Sequence, residues 1–392
     1  MTLARTVPKL ASYLRTLWRG RRRRSRRATP DPPRFLTYIV TFACNARCVM
    51  CDSWRKPSPD DLTLDEIDRI FAQLPRLDAV RLSGGEPFVR RDLLEIAHLA
   101  QDRLRPLFLH VTTNGFLTDR IVRFCEARRR DVPLHLLVSI DGVAAKHNRV
   151  RGHPKAWDYA VRTLEHLAAR RHEFRLELSV NQTIVDAEGV EHYRRLRDFL
   201  RPLGIRNNMV MAYDASATYH LDRQVDIAPT QIGQFATFGE ISTTELRELF
   251  DEVERDLAAY PFAERLAKRY YLRGIRNRLL GGEGRPNPPC VALRSHLRLL
   301  PDGSVPTCQF NTATVGNLRR HSFEEVWHGE TAGRQRSWVG DCPGCWAECE
   351  VLPNAIYTGD LVKEALLPSR GRRGASAAPR DTQVGLPVIR ET

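Results

Sequence analysis

Lysine is nearly missing from this chain: of its 61 basic residues only six are Lys. The arginine excess reads as codon bias before it reads as phosphate binding, because its placement does not suit a nucleic-acid groove. Residues 1–29 hold ten Lys or Arg and no acid, and residues 368–392 hold five Arg against two acids. About +1 of the net +14 is left for residues 30–367, which argues against nucleic acid as a partner of the folded body. Long apolar runs are missing too: none approaches the ~18 residues of a transmembrane helix. There is no secretory signal either, since the Arg run 21–24 follows the apolar segment instead of preceding it. A reducing, cytoplasmic setting is expected, where clustered cysteines more often bind metal than pair as disulfides. What remains, 42% hydrophobic and 28% charged over 392 residues, suits one large globular domain plus a smaller one.

In the tail that precedes residue 30, Leu3, Val7, Leu10, Leu14 and Leu17 alternate in steps of four and three, one apolar stripe on a helix whose remainder is cationic. Two readings stay open for segment 1–30: a solvated leader helix, or a basic amphipathic helix at an anionic membrane surface or acidic partner. From residue 34 strands and helices alternate. Strands are expected at 35–40, 79–83, 107–113, 134–140, 175–184 and 206–212. Helices are expected at 65–74, 92–104, 118–130, 156–171 and 188–202. Six such repeats predict an α/β fold, a partial (β/α)6 TIM-like barrel over 34–215 with its site at the C-terminal ends of the strands. A helical linker (216–285), a small cysteine-rich domain (286–355) and a disordered tail (368–392) follow.

The rim collects the motifs. "TFACNARCVMC" places Cys44, Cys48 and Cys51 after the first strand in the spacing C-x3-C-x2-C. Four thiolates would fill a tetrahedral metal, whereas a [4Fe–4S] cube held by three keeps one iron open for another ligand. "SGGEP" (83–87) follows the second strand, "TNG" (113–115) the third, and "SIDG…HNRVRG" (139–152) the fourth. Together these resemble the radical S-adenosylmethionine superfamily. There the three cysteines hold the cube, and S-adenosylmethionine chelates the open iron through its amino and carboxylate groups. An electron from the cluster then breaks its C–S bond to give a 5′-deoxyadenosyl radical. The resemblance implies that Gly84, Gly85 and Glu86 cradle the methionine ammonium, and that Ser139, Asp141 and Arg151 face the cofactor's ribose or carboxylate. Met50 departs from the family, which usually has an aromatic residue there.

Five cysteines come after the barrel: Cys290, Cys308, Cys342, Cys345 and Cys349. "PDGS" reads as a hairpin turn between "HLRLL" and "VPTC". The set resembles the auxiliary-cluster domain known as SPASM, whose full pattern has seven cysteines for two clusters. Five imply one auxiliary [4Fe–4S] cluster, with Cys290, Cys308, Cys342 and Cys345 as ligands and Cys349 a bystander or alternate. A structural zinc uses the same residue types. Cys125, beside Phe124 and Ile121, is expected in the core.

Function then narrows to radical C–H oxidation, with an electron donor such as flavodoxin or ferredoxin as a partner. The substrate is a ribosomal peptide or a small molecule; only about 30 residues precede the barrel, too few for a leader-binding domain, which weakens the peptide reading. A redox-sensing protein without catalysis, or an enzyme acting on lipid or RNA, are the alternatives. Tyr213 and Asp214, past the sixth strand, are candidates for rim contacts or proton acceptance.

Overall fold

The computed structural model describes residues 30–56, 58, 60–212, 241–280, 288–311, 313–342 and 344–366. Tyr213, Asp214, the basic segment 1–29, the tail from 367 and part of the expected linker lie outside the described residues.

Six βα units build the frame. β1 (Phe35–Ile39), β2 (Ala79–Ser83), β3 (Phe108–Thr113), β4 (Leu134–Ser139), β5 (Leu176–Ile184) and β6 (Arg206–Met211) pair in parallel. Between them run α1 (Leu64–Gln73), α2 (Leu93–Leu99), α3 (Thr118–Ala127), α4 (Ala145–Arg151), α5 (Ala156–Arg170) and α6 (Ala187–Leu200). Alternation along each strand explains the layering. Leu36, Tyr38, Val80, Leu82, Val111, Leu136 and Leu178 point to the helices and pack with Ile67, Ile96, Ile121 and Leu164. At about 1.5–3 kcal/mol for each large apolar side chain removed from water, this layer holds the helices on the sheet. Cys125 lies in it, fully buried. α1 starts where its sequence says: Thr63 and Glu66 form a reciprocal capping box.

Two expectations need correction. Residues 92–104 are not one α-helix: α2 widens after Leu99 into a π turn, Ala100–Leu104. "HLRLL" and "VPTC" do not form a two-stranded hairpin. β7 (His296–Leu299) instead joins the large sheet parallel to β1, giving the order β6-β5-β4-β3-β2-β1-β7. β8 (Ser304–Pro306) pairs antiparallel with β9 (Thr314–Asn317). The turn itself is present, with Gly303 at φ +87°. A parallel partner 261 residues away leaves no local signal, so proximity in the chain suggested the wrong mate.

The second cysteine region is therefore built into the barrel. Its helices α9 (Phe323–His328), α10 (Glu330–Asp341), α11 (Glu348–Thr358) and α12 (Asp360–Leu366) follow β9. α7 (Thr243–Asp256) and α8 (Phe262–Leu280) pack on β6 through Met209, Met211, Leu249, Phe250 and Ile275, and share that core with Trp346. A buried polar cluster makes the junction. Glu350, at the start of α11, meets Arg298 of β7 at 2.6 Å and His296 at 3.3 Å. His296 also bonds Thr37 of β1 at 2.9 Å. Burial alone would raise the Glu350 pKa, but Arg298 and His296 outweigh it and hold it at about 2.

Removing one partner of a buried pair strands the other. Glu350→Ala is expected to lower stability by about 3–5 kcal/mol, and Glu350→Leu with Arg298→Met to recover most of it. Urea unfolding of the anaerobically purified proteins measures both.

Candidate active site

The loop that carries Cys44, Cys48 and Cys51 leaves the end of β1 and is clamped from two sides. On one side, Gly85 N–H donates to Thr41 O and Glu86 N–H to Ala43 O, each at 2.9 Å. A Cβ on Gly84 would stand 2.3 Å from Thr41 O, and one on Gly85 2.4 Å from Ala43 O. The two glycines are thus required by the approach of the cysteine loop itself. On the other side, Arg47 N–H donates to Arg151 O (2.9 Å) and Val49 N–H to Val150 O (3.0 Å). Gly152, at φ +61°, presses on Arg47 O, where a Cβ would come within 2.2 Å. Ser53 Oγ closes the loop by donating to Phe42 O at 2.8 Å.

Each of the three thiols receives one N–H donor. Ala46 N–H points to Cys44 Sγ and Ser53 N–H to Cys51 Sγ, both at 3.4 Å, and Arg151 Nη1 reaches Cys48 Sγ at 3.6 Å. Burial pushes the Cys44 and Cys51 thiols up to about 12. Such thiols stay protonated without metal and give up their protons on binding it. Hydrogen-bonded thiolates are the donor set an iron–sulfur cluster takes.

The other expected residues converge here, with different partners than the resemblance implies. Glu86 is buried, and both its oxygens are engaged: Oε1 accepts from Thr113 Oγ1 (2.8 Å) and Phe88 N–H (3.1 Å), Oε2 from Asn114 N–H (2.6 Å). Burial raises its carboxyl to about 7. It therefore ties the end of β2 to the end of β3. Asp141 is fully buried, accepting from Thr183 N–H at 3.0 Å and meeting Arg151 Nε at 2.6 Å. Arg151 thus bridges Asp141 and Cys48. Ser139 is buried at the end of β4, in register with Asn181.

Several contacts escaped the sequence reading. Asn114 Nδ2 donates to Asn45 Oδ1 at 2.7 Å, a further tie to the cysteine loop. His147, on the unforeseen helix α4, accepts from Asp141 N–H at 3.0 Å. On the sheet face turned from the helices one layer crosses six strands in register: Arg298, Thr37, Arg81, His110, His135 and, at its exposed end, Glu177. His110 and His135 meet at 3.2 Å, and His135 continues to Ser179 at 2.7 Å. Burial lowers both imidazoles, His135 to about 4, so both are neutral at pH 7. The parity of "LFLHVTT" and "LHLLVSI" held the signal for this pair; only the register showed that the two rings meet.

The second set gathers around Ala292, Phe310, Val339 and Ala347. Four of its thiols accept backbone N–H groups. Asn311 serves Cys308 and Gly344 serves Cys342, both at 3.3 Å, while Ala292 serves Cys290 and Ala347 serves Cys345. Cys349 does the reverse and donates to Gln309 Oε1 at 2.8 Å.

A three-thiol loop at the C-terminal rim of a parallel partial barrel, with a second thiol cluster joined to the same sheet through β7, is the frame of an iron–sulfur radical enzyme. Residues 38–200 match the model of the Radical SAM superfamily, and residues 290–349 match the SPASM model, an iron–sulfur cluster-binding domain. The chain belongs to the radical SAM superfamily and carries a SPASM domain. Its cofactors are accordingly a [4Fe–4S] cluster, S-adenosylmethionine and auxiliary iron–sulfur. It is 26% identical over 363 residues to an AdoMet-dependent heme synthase of Methanosarcina barkeri, covering 86% of this chain and 96% of that protein. To the mycofactocin maturase MftC of Mycobacterium tuberculosis it is 33% identical over 144 residues, 36% of this chain and 35% of the maturase. The match therefore spans about a third of the maturase's length. Among solved structures, anSMEcpe with bound AdoMet superposes with a TM-score of 0.55 at 16% identity, covering 85% of this chain and 96% of that one. SuiB of Streptococcus suis bound to its precursor peptide SuiA gives 0.54 at 14% identity, covering 84% and 71%. No helix among the described residues is long and apolar enough to cross a membrane.

Gly85→Ala forces a methyl group into two carbonyls of the cysteine loop. The variant is expected to fold yet to retain less than about half the loop-bound iron, a loss measured by iron content after anaerobic reconstitution.

Proposed function

We propose that Cys44, Cys48 and Cys51 hold the [4Fe–4S] cluster that binds S-adenosylmethionine, and that the enzyme oxidises a C–H bond of a compact polar substrate lodged in the barrel. When bound, these cofactors supply a 5′-deoxyadenosyl radical that takes a hydrogen atom from the substrate. The chain's own residues do the positioning. The donors at Ala46, Ser53 and Arg151 keep three thiolates aimed and leave the fourth corner to a small molecule. The Glu86 stitch and the Asp141–Arg151 pair keep that loop at the barrel mouth. Below it, His110, His135 and Ser179 form a chain of neutral hydrogen-bonding groups on the inner sheet face. Cys290, Cys308, Cys342 and Cys345 hold the auxiliary cluster, which would accept the remaining electron; Cys349 is not a ligand.

The observation that carries this reading is the direction of the hydrogen bonds: seven thiols accept an N–H, and the eighth donates. Interior polarity favours a small molecule, as does similarity along almost the whole heme synthase. A peptide substrate is the second reading, favoured by the likeness to the maturase.

Wild-type enzyme is expected to hold about eight irons, and the Cys44/Cys48/Cys51→Ala variant about four, with no deoxyadenosine formed. Cys349→Ser is expected to keep about eight irons while Cys308→Ser loses about four. Iron analysis with electron paramagnetic resonance reads both, and loss of iron from Cys349→Ser would overturn the ligand assignment.

A further inference from the structure

Charges on the inner sheet face come in pairs, with one exception. Arg298 has Glu350 at 2.6 Å, and Lys268 of α8 is bonded to Glu348. Arg206 of β6 takes two acids, Glu177 at 2.7 Å and Glu264 at 2.9 Å. Arg81 of β2 takes none: among the described residues its guanidinium has no carboxylate partner, and its Nε is buried without an acceptor. Five other arginines have such an Nε, yet all are engaged. Arg128 binds backbone carbonyls, and Arg151, Arg269, Arg298 and Arg319 each meet a carboxylate. The acids and cations named on this face balance in number, so the excess at Arg81 is local. The acid that would balance it lies with Arg206, four strands away.

Its surroundings hold the guanidinium in place without using its donors. The Phe35 ring lies 5.3 Å from Arg81 Cζ, and a guanidinium stacked on a ring keeps its in-plane N–H groups free for an acceptor. In register, Arg81 stands between Thr37 of β1 and His110 of β3. Burial and His135, then Arg81, keep His110 neutral. Burial would raise the carboxyl of Glu348, but Lys268 and then Arg81 bring it down. The guanidinium therefore sits between the sheet and the start of α11, which follows the second thiol cluster. Arg81 is also two residues before the end of β2, about 7 Å along the strand from Ser83 and the glycines that touch the cysteine loop. Arg81, Ser83 and Thr112 of β3 are each partly exposed, so solvent reaches this stretch of the inner face.

We propose that Arg81 anchors an oxyanion of the substrate, a carboxylate or a phosphate, on the inner sheet face below the cysteine loop. The proposal rests on the function proposed for that loop and narrows its substrate to an anionic one. Two parallel N–H···O bonds from a guanidinium match two oxygens of either group, a fit that a neutral polar group lacks. The same contact gives the buried Nε the acceptor it is without in the protein. No bond forms or breaks at Arg81; its part is to position. With the anion held one short span beneath the loop, a carbon a few bonds away lies at the rim.

The test labels arginines of the full chain, anaerobically reconstituted, with phenylglyoxal and maps the sites by peptide mass spectrometry. Arg81 is expected to react about fivefold faster than Arg298, its ion-paired neighbour in the layer. Benzoate or phenylphosphonate at about 50 mM is expected to slow labelling of Arg81 about fivefold, while benzamide, alike in shape but neutral, leaves it unchanged. Stronger protection by benzoate assigns a carboxylate substrate, and stronger protection by phenylphosphonate a phosphorylated one. In Arg81→Gln, benzoate binding followed by saturation-transfer NMR is expected to fall about threefold or more, and Arg81→Lys, a point charge without the fork, to keep part of it. The labelling is done on wild type, so it decides the matter even if a variant does not fold. Labelling no faster than at Arg298, no protection by either anion, or equal protection by benzamide would each overturn the anchor. Failure of the functional reading looks different: wild type with dithionite would form no deoxyadenosine, whatever the labelling of Arg81.

Discussion

Close approach of two backbones is the constraint on which this molecule depends. The cysteine loop passes between the glycines that end β2 and the turn that ends α4, touching carbonyl to Cα on both sides. Neither contact tolerates a side chain. What it secures is the direction of three thiols. Glu86, Asn114, Asp141 and Arg151 all serve the same end, since each ties the loop or its clamps to the neighbouring strand ends. Residues that a motif presents as cofactor contacts are here engaged with protein.

A second constraint joins the two cysteine regions. Because β7 is a strand of the large sheet, the auxiliary cage cannot move independently of the barrel. Glu350 satisfies Arg298 and His296 inside that junction, and Cys349 reaches Gln309, which Arg298 Nη2 also approaches at 3.4 Å. A buried carboxylate with two cationic or hydrogen-bonding partners is a poor source of stability but a strict one for register. The sheet face that this junction borders carries a polar layer that runs from Arg298 through Thr37, Arg81 and His110 to His135.

Much of the frame was legible from alternation and periodicity. The six strands and their helices come from local apolar patterns, and Thr63 with Glu66 announces a helix start in four residues. What failed was non-local or broken: β7 because its mate lies 261 residues earlier, α4 because "HNRVRG" has little apolar period, and the π turn after Leu99 because it keeps a helix-like pattern. In the site, the three-cysteine loop was readable because its residues are neighbours in sequence. The roles of Glu86 and Asp141 were not, since a carboxylate's task depends on which N–H groups the fold brings within 3 Å.

By itself, then, the order of residues determined the strands, the helix caps and the count of thiols, because each follows from neighbours a few bonds apart. Tertiary structure alone decided which thiols accept hydrogen bonds and which one donates, which carboxylates are already taken, and that His110 meets His135. Those outcomes depend on distances between strands that are far apart in the chain, and no local pattern encodes such distances.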